Sequence, residues 1–226
     1  MAAATMDIEQ ARLNMIQQQI RPWEVLDPTV LELLSVVKRE LFVPETHKDL
    51  AFADVEVPLG AKGIAGQSML APKIEARMLQ ELSIKAKDKV LEIGAGSGYM
   101  AALLAARAEF VYTVDIDPEL VELARKNLKE AGVANVSVDL GDAAQGWSLY
   151  APYDAIVVSA SMPVLPESLL KQLKIGGRLI AVVGEAPAMQ VQLVTRSDEE
   201  AFTTVSVFET VVAPLVNATQ RKKFVF

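Results

Sequence analysis

Apolar residues in the first third of the chain follow the three- and four-residue spacing of amphipathic helices. One such run covers residues 8–20 and another covers residues 74–82. Between them, Asp27-Pro28 predicts the start of a further helix, because Asp is a favourable N-cap and Pro suits the first turn. The glycine-rich stretch 60–67 interrupts the pattern and predicts a loop. We therefore expect a helical N-terminal part that contains one irregular loop.

From residue 89 onward, short apolar runs alternate with amphipathic ones. The pattern predicts strands at 89–93, 110–116, 136–140, 153–159 and 178–183, and helices at 98–106, 118–131 and 167–173. Such alternation is typical of a parallel sheet that is covered by helices on both faces. Two further strands, at 190–195 and 203–212, have no helix between them and predict a hairpin. The expected fold class is α/β, with a mostly parallel sheet of seven strands.

Length and composition favour a single compact domain over residues 1–226. Hydrophobic residues make up 51% of the 226 positions, enough for one sizeable core. A formal net charge of -7 argues against a surface that binds nucleic acid, and no segment reaches the ~18 apolar residues of a membrane span. The absence of cysteine excludes disulfides and thiolate metal sites, and we expect no other metal site. We expect a soluble, cytoplasmic protein whose partners include neither nucleic acid nor membrane.

The first candidate for chemistry is an apolar strand that runs into three alternate glycines. Residues 90–98 read Val-Leu-Glu-Ile-Gly-Ala-Gly-Ser-Gly, and glycines at such a turn let the backbone approach a ligand closely. A dinucleotide fingerprint would need a small residue at position 99, which is Tyr here. The carboxylate of Glu92, shortly before Gly94, Gly96 and Gly98, instead suits the ammonium of a sulfonium amino acid. The pattern therefore favours S-adenosylmethionine as the ligand.

Aspartates follow the next two predicted strands. Asp115 ends a strand about 20 residues after the glycines, where a carboxylate can accept hydrogen bonds from both ribose hydroxyls. Asp117 directly precedes Pro118 and fits better as the N-cap of the next helix. Asp142, within Gly141-Asp142-Ala143, could accept a hydrogen bond from the adenine amino group.

Less specific interpretations of these residues stay open. The glycines alone would fit a plain strand-to-helix turn, and either Asp115 or Asp142 would fit a helix cap or a turn. NAD is the competing ligand. The three features nevertheless occur in chain order, each at the carboxyl end of a strand, and this order favours S-adenosylmethionine.

Other motifs are more specific than the glycine loop. Residues 39–45 read Arg-Glu-Leu-Phe-Val-Pro-Glu, and residues 66–72 read Gly-Gln-Ser-Met-Leu-Ala-Pro. Further stretches lie at 15–22, 53–54, 58–60, 151–156, 172–179 and 183–184. On these motifs the chain resembles the protein-L-isoaspartate O-methyltransferase family over most of its length.

The resemblance implies a Rossmann-like class I methyltransferase fold with an N-terminal helical extension. Residues 1–82 would form the N-terminal helices and substrate loop, and residues 83–226 the S-adenosylmethionine-binding core. The implied activity is methylation of L-isoaspartyl carboxylates, with damaged proteins as the partners that are repaired. The positions that it implies for the cofactor are Ser68, Met69, Leu70, Ala71, Glu75, Glu92, Gly94, Gly96, Gly98, Asp115, Ile116, Asp142 and Ala143. Those that it implies for the substrate loop are Asp54, Pro58, Gly66 and Gln67.

Two features of the loop depart from the family pattern. The family usually reads Gly-Gln-Thr-Ile-Ser-x-Pro, and the position of its serine, which is credited with a catalytic or positioning role, is Leu70 here. A leucine side chain cannot donate a hydrogen bond. Ser68, two residues earlier, is the catalytic candidate that could take over this contact. The stretch between Gly60 and Gly66 is also longer than usual, which would reshape the acceptor pocket.

Three functional hypotheses follow. The first is an isoaspartyl carboxyl methyltransferase. The second is a divergent methyltransferase of the same fold with another oxygen or nitrogen acceptor, since fold and cofactor do not determine the substrate. The third is a non-catalytic protein that binds S-adenosylmethionine. In each case we expect a monomer or a weak homodimer.

Overall fold

The N-terminal part of the chain is helical. A computed structural model describes residues 7–60 and 67–221. Helix α1 covers Ile8–Met15 and continues as a π-helical turn over Ile16–Ile20, and α2 covers Pro28–Val36. Asp27 caps α2, because its carboxylate accepts a hydrogen bond from the amide of Thr29 at 2.8 Å. Short 3-10 turns follow at Arg39–Leu41 and Glu45–Leu50.

A small antiparallel pair leads from this part into the larger sheet. Strand β1 covers Val57–Pro58 and pairs with β2, which covers Ser68–Met69. The sequence pattern did not predict this pair, because two residues are too few to show the alternation of a strand. Most of the predicted loop 60–67 lies outside the described residues. Helix α3, Pro72–Leu82, follows β2 almost directly.

The larger sheet has seven strands in the order β5-β4-β3-β6-β7-β8-β9. Their bounds are Lys89–Ile93 for β3, Phe110–Asp115 for β4, Val136–Leu140 for β5, Tyr153–Met162 for β6, Leu173–Glu185 for β7, Ala188–Arg196 for β8 and Phe202–Glu209 for β9. The pairings among β3 to β7 are parallel, and those of β8 and β9 are antiparallel. The predicted mostly parallel sheet and its terminal hairpin are confirmed.

Three helices alternate with these strands. They are α4 (Tyr99–Ala105), α5 (Pro118–Glu130) and α6 (Glu167–Leu170). The prediction for the last helix was too long, because Leu173 already pairs with Tyr153 as the first residue of β7. The predicted bounds of α5 were right to within one residue.

Apolar side chains on both faces of the sheet are buried. Along β6, Ala155 and Val157 belong to one buried cluster, whereas Ile156 and Val158 belong to another. This alternation is the two-residue period of a strand that is covered on both sides. The first cluster also contains residues of α1, α2 and α3, so the N-terminal helices share their core with the sheet. The division of residues 1–226 into one domain with two parts stays a prediction.

Strand order determines where a ligand can bind. The chain passes from β3 to β4 on one side of β3, and later returns to place β6 on the other side. In open α/β sheets the crevice for ligands lies at the carboxyl ends of the strands at such a switch point. The glycine loop, which follows β3, therefore lies at the expected binding edge. In the described part of the chain, no helix is long and apolar enough to cross a membrane.

Candidate active site

A cleft with two connected parts opens at this edge of the sheet. The outer cleft encloses about 690 Å³ including its open mouth, and the inner cleft about 280 Å³. Both parts are lined by Ser68, Gly94, Gly96 and Ser159. The outer cleft also contacts Gln67, Asp115, Ile116, Asp117, Asp142, Ala143 and the segment 214–216. The inner cleft also contacts Met69, Leu70, Glu75, Glu92, Ser97 and Tyr99.

The backbone of the glycine loop forms the floor of both parts. Gly94 has φ 93° and its amide donates to the carbonyl of Val114 at 2.8 Å, which fixes the loop to the neighbouring strand. Gly96 has φ 51°, and a Cβ added there would lie 3.2 Å from Leu59 Cδ1. Only glycine combines this left-handed backbone with an unobstructed surface toward the cleft. Gly98, by contrast, faces α5 and lines neither part of the cleft.

Glu92 contributes a buried carboxylate to the inner cleft. It is 1% exposed and accepts hydrogen bonds from Thr113 Oγ1 at 2.7 Å and Ser159 Oγ at 3.1 Å. No Lys or Arg among residues 7–60 and 67–221 forms an ion pair with it. Burial raises the pKa of Glu92 to about 8, and the nearby carboxylates of Glu75 and Asp115 act in the same direction. A bound cation would relieve both effects.

A second buried carboxylate in the inner cleft has a cationic partner. Glu75, on α3, forms an ion pair with Arg39. The same guanidinium donates to the carbonyl of Leu70 at 2.8 Å and lies 4.9 Å from the ring centroid of Tyr99. Burial raises the pKa of Glu75, and Arg39 opposes that rise. Of the two buried glutamates of the inner cleft, Glu92 is therefore the one without a charge partner in the described chain.

Asp115 supports the glycine loop from the end of β4. Its carboxylate accepts from the amide of Gly96 at 3.0 Å and from the amide of Asp117 at 3.0 Å. Burial raises the pKa of Asp115. Asp117 caps α5 by accepting from the amide of Glu119 at 2.8 Å, as its position before Pro118 predicted. It also accepts a hydrogen bond from the side chain of Gln67, and so joins the substrate loop to the sheet.

The C-terminal segment closes the other side of the outer cleft. The amide of Leu215 donates to the carbonyl of Ser161 at 2.8 Å, which attaches this segment to β6. Asn217 then donates to the carboxylate of Asp142 at 2.8 Å, and the other oxygen of Asp142 accepts from the amide of Ala144 at 3.0 Å. This segment was not among the predicted site residues.

The loop residues near the acceptor side have distinct partners. Ser68 lines both parts of the cleft, and its hydroxyl donates to Glu56 at 2.9 Å. Leu70 is 6% exposed and belongs to the apolar core. Ala71 lines neither part; its carbonyl accepts a hydrogen bond from the amide of Ile74 at the start of α3.

Two further substrate-loop positions, Pro58 and Asp54, line neither part of the cleft. Pro58 pairs with Ser68 across β1 and β2. Asp54 forms an ion pair with Lys73 at 2.6 Å. Gly66, the other predicted position, lies outside the described residues.

The charges of the cleft favour a cationic ligand. Carboxylates line it at Glu75, Glu92, Asp115, Asp117 and Asp142, whereas no described Lys or Arg lines either part. Such a surface suits a permanent sulfonium and an ammonium, and offers no cation to a pyrophosphate. No group of three or more His, Cys, Asp or Glu in the described ranges could hold a metal ion. The residues therefore fit S-adenosylmethionine better than a dinucleotide.

A comparison with protein-family models decides the assignment. Residues 10–220 match the model described as protein-L-isoaspartate(D-aspartate) O-methyltransferase (PCMT). The chain belongs to this family. The resemblance inferred from the sequence is thereby confirmed, and with it the predicted enzyme class, a methyltransferase dependent on S-adenosylmethionine.

Curated relatives agree with the family match. The chain is 44% identical over 187 residues to the protein-L-isoaspartate O-methyltransferase of Protochlamydia amoebophila, covering 82% of this chain and 87% of that one. It is 43% identical over 205 residues to that of Rhodopseudomonas palustris, covering 90% and 92%. In both cases the match covers nearly the whole enzyme.

Solved structures share the fold. A crystal structure from Plasmodium falciparum, described as a protein-L-isoaspartate O-methyltransferase in complex with S-adenosyl-L-homocysteine, matches with a TM-score of 0.76 at 19% identity and covers 93% of this chain and 99% of that one. A second protein-L-isoaspartate O-methyltransferase structure gives 0.76 at 21% identity, covering 90% and 65%. The predicted Rossmann-like class I methyltransferase fold is confirmed.

Sequence reasoning about this family member missed several residues around the cleft. Thr113 had a detectable signal, because it lies two residues before Asp115 and therefore on the same face of the predicted strand. In the structure it pairs in register with Glu92. Arg39 was noticed only as part of a motif. Nothing local to the sequence marks Asn217, whose partner is 75 residues away.

Proposed function

We propose that this chain transfers the methyl group of S-adenosylmethionine to the side-chain carboxylate of L-isoaspartyl residues in proteins. The observation that carries the proposal is the family match over residues 10–220. The curated relatives bear this activity in their names. Neither a divergent acceptor nor a non-catalytic role is favoured by any of these matches.

The cofactor end of the site consists of carboxylates around the glycine loop. Glu92 would hold the ammonium of S-adenosylmethionine, because it is buried, hydrogen-bonded and without a cationic partner in the described chain. Asp115 would face the ribose, and Asp142, which Asn217 orients, would face the adenine. When bound, S-adenosylmethionine supplies a methyl group that its sulfonium makes electrophilic.

The chain's own task is alignment more than proton transfer. A carboxylate acceptor is already ionised at neutral pH, so that no general base is needed. Consistent with this, no described His or Lys lines the cleft. Holding the acceptor oxygen in line can supply about 7 to 11 kcal/mol, whereas one hydrogen bond to a charged oxygen supplies about 1.5 to 3. Replacement of the family serine by Leu70 should therefore weaken the enzyme and not abolish its activity.

Ser68 is the hydroxyl best placed to orient the acceptor. It lies where the two parts of the cleft meet, and its partner Glu56 is exposed. An incoming carboxylate would compete with Glu56 for this donor. We assign the positioning role to Ser68 on this ground, with backbone amides of the loop as further donors.

The charge of the chain bears on which partners it can have. The net charge of -7 supports the proposal that neither nucleic acid nor an anionic membrane is a partner. We further propose a single domain that acts in the cytoplasm as a monomer or weak homodimer.

Transfer of labelled methyl groups to a synthetic isoaspartyl peptide tests the proposal. A peptide of the same sequence with ordinary aspartate serves as the matched control. We expect label in the isoaspartyl peptide only, released by mild base as a methyl ester would be. Equal labelling of both peptides, or cofactor binding without labelling of either, would contradict the proposed acceptor.

A further inference from the structure

Arg39 lies behind the cleft and does not line it. It belongs to a single 3-10 turn, Arg39–Leu41, between α2 and the substrate loop, and it is 1% exposed. Few arginines are buried so completely unless their charge is balanced. The residues that Arg39 contacts therefore indicate what its burial achieves.

Each of those contacts is a residue of the inner cleft. One terminal guanidinium nitrogen, Nη1, donates to the carboxylate of Glu75, and the other terminal nitrogen, Nη2, donates to the carbonyl of Leu70 at 2.8 Å. The central carbon of the guanidinium lies over the ring of Tyr99, 4.9 Å from the ring centroid. Glu75, Leu70 and Tyr99 all line the inner cleft. Arg39 thus contacts α3, the loop that precedes it and the start of α4 at once.

The contact between Arg39 and Leu70 is particularly important in this chain. Leucine offers no side-chain donor at a position where the family usually has serine, so the loop can act there only through its backbone. The backbone of Leu70 is held by Arg39, because the guanidinium binds its carbonyl oxygen. The direction of that carbonyl fixes the peptide group that joins Leu70 to Ala71.

The contact with Glu75 separates the two buried glutamates of the inner cleft. Arg39 neutralises Glu75, and no described cation neutralises Glu92. The carboxyl of Glu92, which a bound cation would hold in its ionised form, therefore stays available to a cationic ligand. If Arg39 did not balance Glu75, two like charges would share the inner cleft and compete for the same cation.

We propose that Arg39 is a positioning residue of the methyltransferase. Its guanidinium holds the backbone of the 68–71 loop and neutralises Glu75, so that the cofactor's ammonium binds at Glu92. This inference rests on the proposed function only in that the ligand is S-adenosylmethionine. It assigns no contact between Arg39 and the cofactor or the acceptor.

Arg39→Lys tests whether the two-donor geometry of the guanidinium is needed, because an ammonium retains the charge beside Glu75 but cannot reproduce the planar pair of donors. Arg77→Lys is the matched control. Like Arg39, Arg77 combines carboxylate partners with a backbone carbonyl: it pairs with Glu24 at 3.0 Å and Glu81 at 2.7 Å and donates to the carbonyl of Trp23 at 3.0 Å, but it lies outside the cleft. Both variants should lose some thermal stability.

The discriminating measurements are made on the intact protein with and without ligand. Without ligand, hydrogen exchange of the 68–71 amides should become faster in Arg39→Lys and stay unchanged in Arg77→Lys. Calorimetric titration with S-adenosylhomocysteine should show about ten- to hundredfold weaker binding in Arg39→Lys only, the usual effect of losing a hydrogen bond from a charged group. In steady-state kinetics the weaker binding in Arg39→Lys should appear as a raised KM for S-adenosylmethionine with a smaller change in kcat.

A double variant covers the case in which Arg39→Lys does not fold. Arg39→Met with Glu75→Gln removes both members of the ion pair, so that neither leaves the other's charge buried without its partner. It should fold and still bind S-adenosylhomocysteine more weakly than the wild type. Wild-type exchange and affinity in either Arg39 variant would overturn the proposal and leave Arg39 a purely structural residue. If the wild type bound the ligand but methylated no isoaspartyl peptide, the proposed function would fail, and the binding and exchange data would still decide the role of Arg39.

Discussion

Asn217 donates a hydrogen bond to Asp142 at 2.8 Å, although the two residues are 75 positions apart in the chain. The bond joins the C-terminal segment to the loop after β5, and both flank the outer cleft. Asn217 has φ 61°, in the left-handed region where Asn is several-fold enriched. The asparagine is therefore suited both to the backbone of the segment and to the carboxylate that it orients.

Asn217→Asp should weaken cofactor binding by about tenfold, because it places a second negative charge against Asp142. Asn217→Gly keeps the left-handed backbone and loses only the hydrogen bond, so that we expect a loss of about threefold. Calorimetric titration with S-adenosylhomocysteine measures both.

Thr219→Ala is the control for this pair of variants. It removes a hydrogen bond from Gln145 at 2.7 Å in the same segment, away from the cleft. Its affinity should equal that of the wild type. An Asn217→Asp variant that bound as tightly as Thr219→Ala would show that Asp142 is not oriented for the ligand.

Glu92 should make cofactor binding depend on pH. Its pKa in the free protein is about 8, and a bound ammonium favours the ionised form. Affinity should therefore rise between pH 6 and pH 7.5, by up to about tenfold per pH unit, with release of a proton. Titrations in buffers of different ionisation enthalpy measure this release. Glu92→Gln should bind about a hundredfold more weakly and lose the pH dependence; an unchanged slope in this variant would assign the proton to another group.

The same carboxyl should also affect stability. Its pKa is about 8 in the folded protein, above the ordinary 4.5, so the folded state holds a proton that the unfolded state has lost between these values. Glu92 therefore stabilises the fold fully only below about pH 4.5, and this contribution is lost as the pH rises to 8. The melting temperature of Glu92→Gln relative to the wild type should rise from pH 5 to pH 8.5. A constant difference would contradict the raised pKa.

The fold could be predicted from the sequence because its determinants are local. Alternation of apolar runs gave the strands and helices, and Asp27 and Asp117 cap the helices that their neighbouring prolines indicated. The glycine loop and Glu92 are likewise contiguous in sequence. Strand order was not determined by any such local feature.

The parts of the site that could not be predicted from the sequence depend on contacts between residues that are distant in the chain. Arg39 meets Glu75 across 36 positions, and Asn217 meets Asp142 across 75. Neither contact produces a periodicity or a motif spacing. The hydrogen bond from Ser68 to Glu56 depends on the two-residue pairing of β1 with β2, which is too short to show a pattern.

Ser68 and Glu56 should have opposite effects on the acceptor. Ser68→Ala removes the hydroxyl and should lower kcat/KM for an isoaspartyl peptide by about tenfold, the usual range for one hydrogen bond to a charged group. Glu56→Gln removes a negative charge 2.9 Å from that hydroxyl and should lower the peptide KM by several-fold, because the acceptor carboxylate no longer meets a like charge.

Ser206→Ala provides the control for the serine. Its hydroxyl donates to Gln190 at 2.9 Å on the exposed hairpin of β8 and β9, away from the cleft. Its kinetics should match those of the wild type. A Ser68→Ala variant with unchanged kcat/KM would leave acceptor positioning to the loop backbone alone.

Gly96 and Gly132 allow backbone strain to be separated from the loss of ligand space. Gly96 has φ 51° and Gly132 has φ 72°, so alanine at either position should cost about 1 kcal/mol of stability in the left-handed region. A Cβ at Gly132 would meet nothing within 4 Å, whereas one at Gly96 would lie 3.2 Å from Leu59 Cδ1 at the floor of the cleft. Thermal unfolding should therefore show similar losses for the two variants, while calorimetry should show weaker binding of S-adenosylhomocysteine for Gly96→Ala alone. If Gly132→Ala weakened binding as much, the loss would come from general destabilisation, and the close approach of the ligand to Gly96 would have no support.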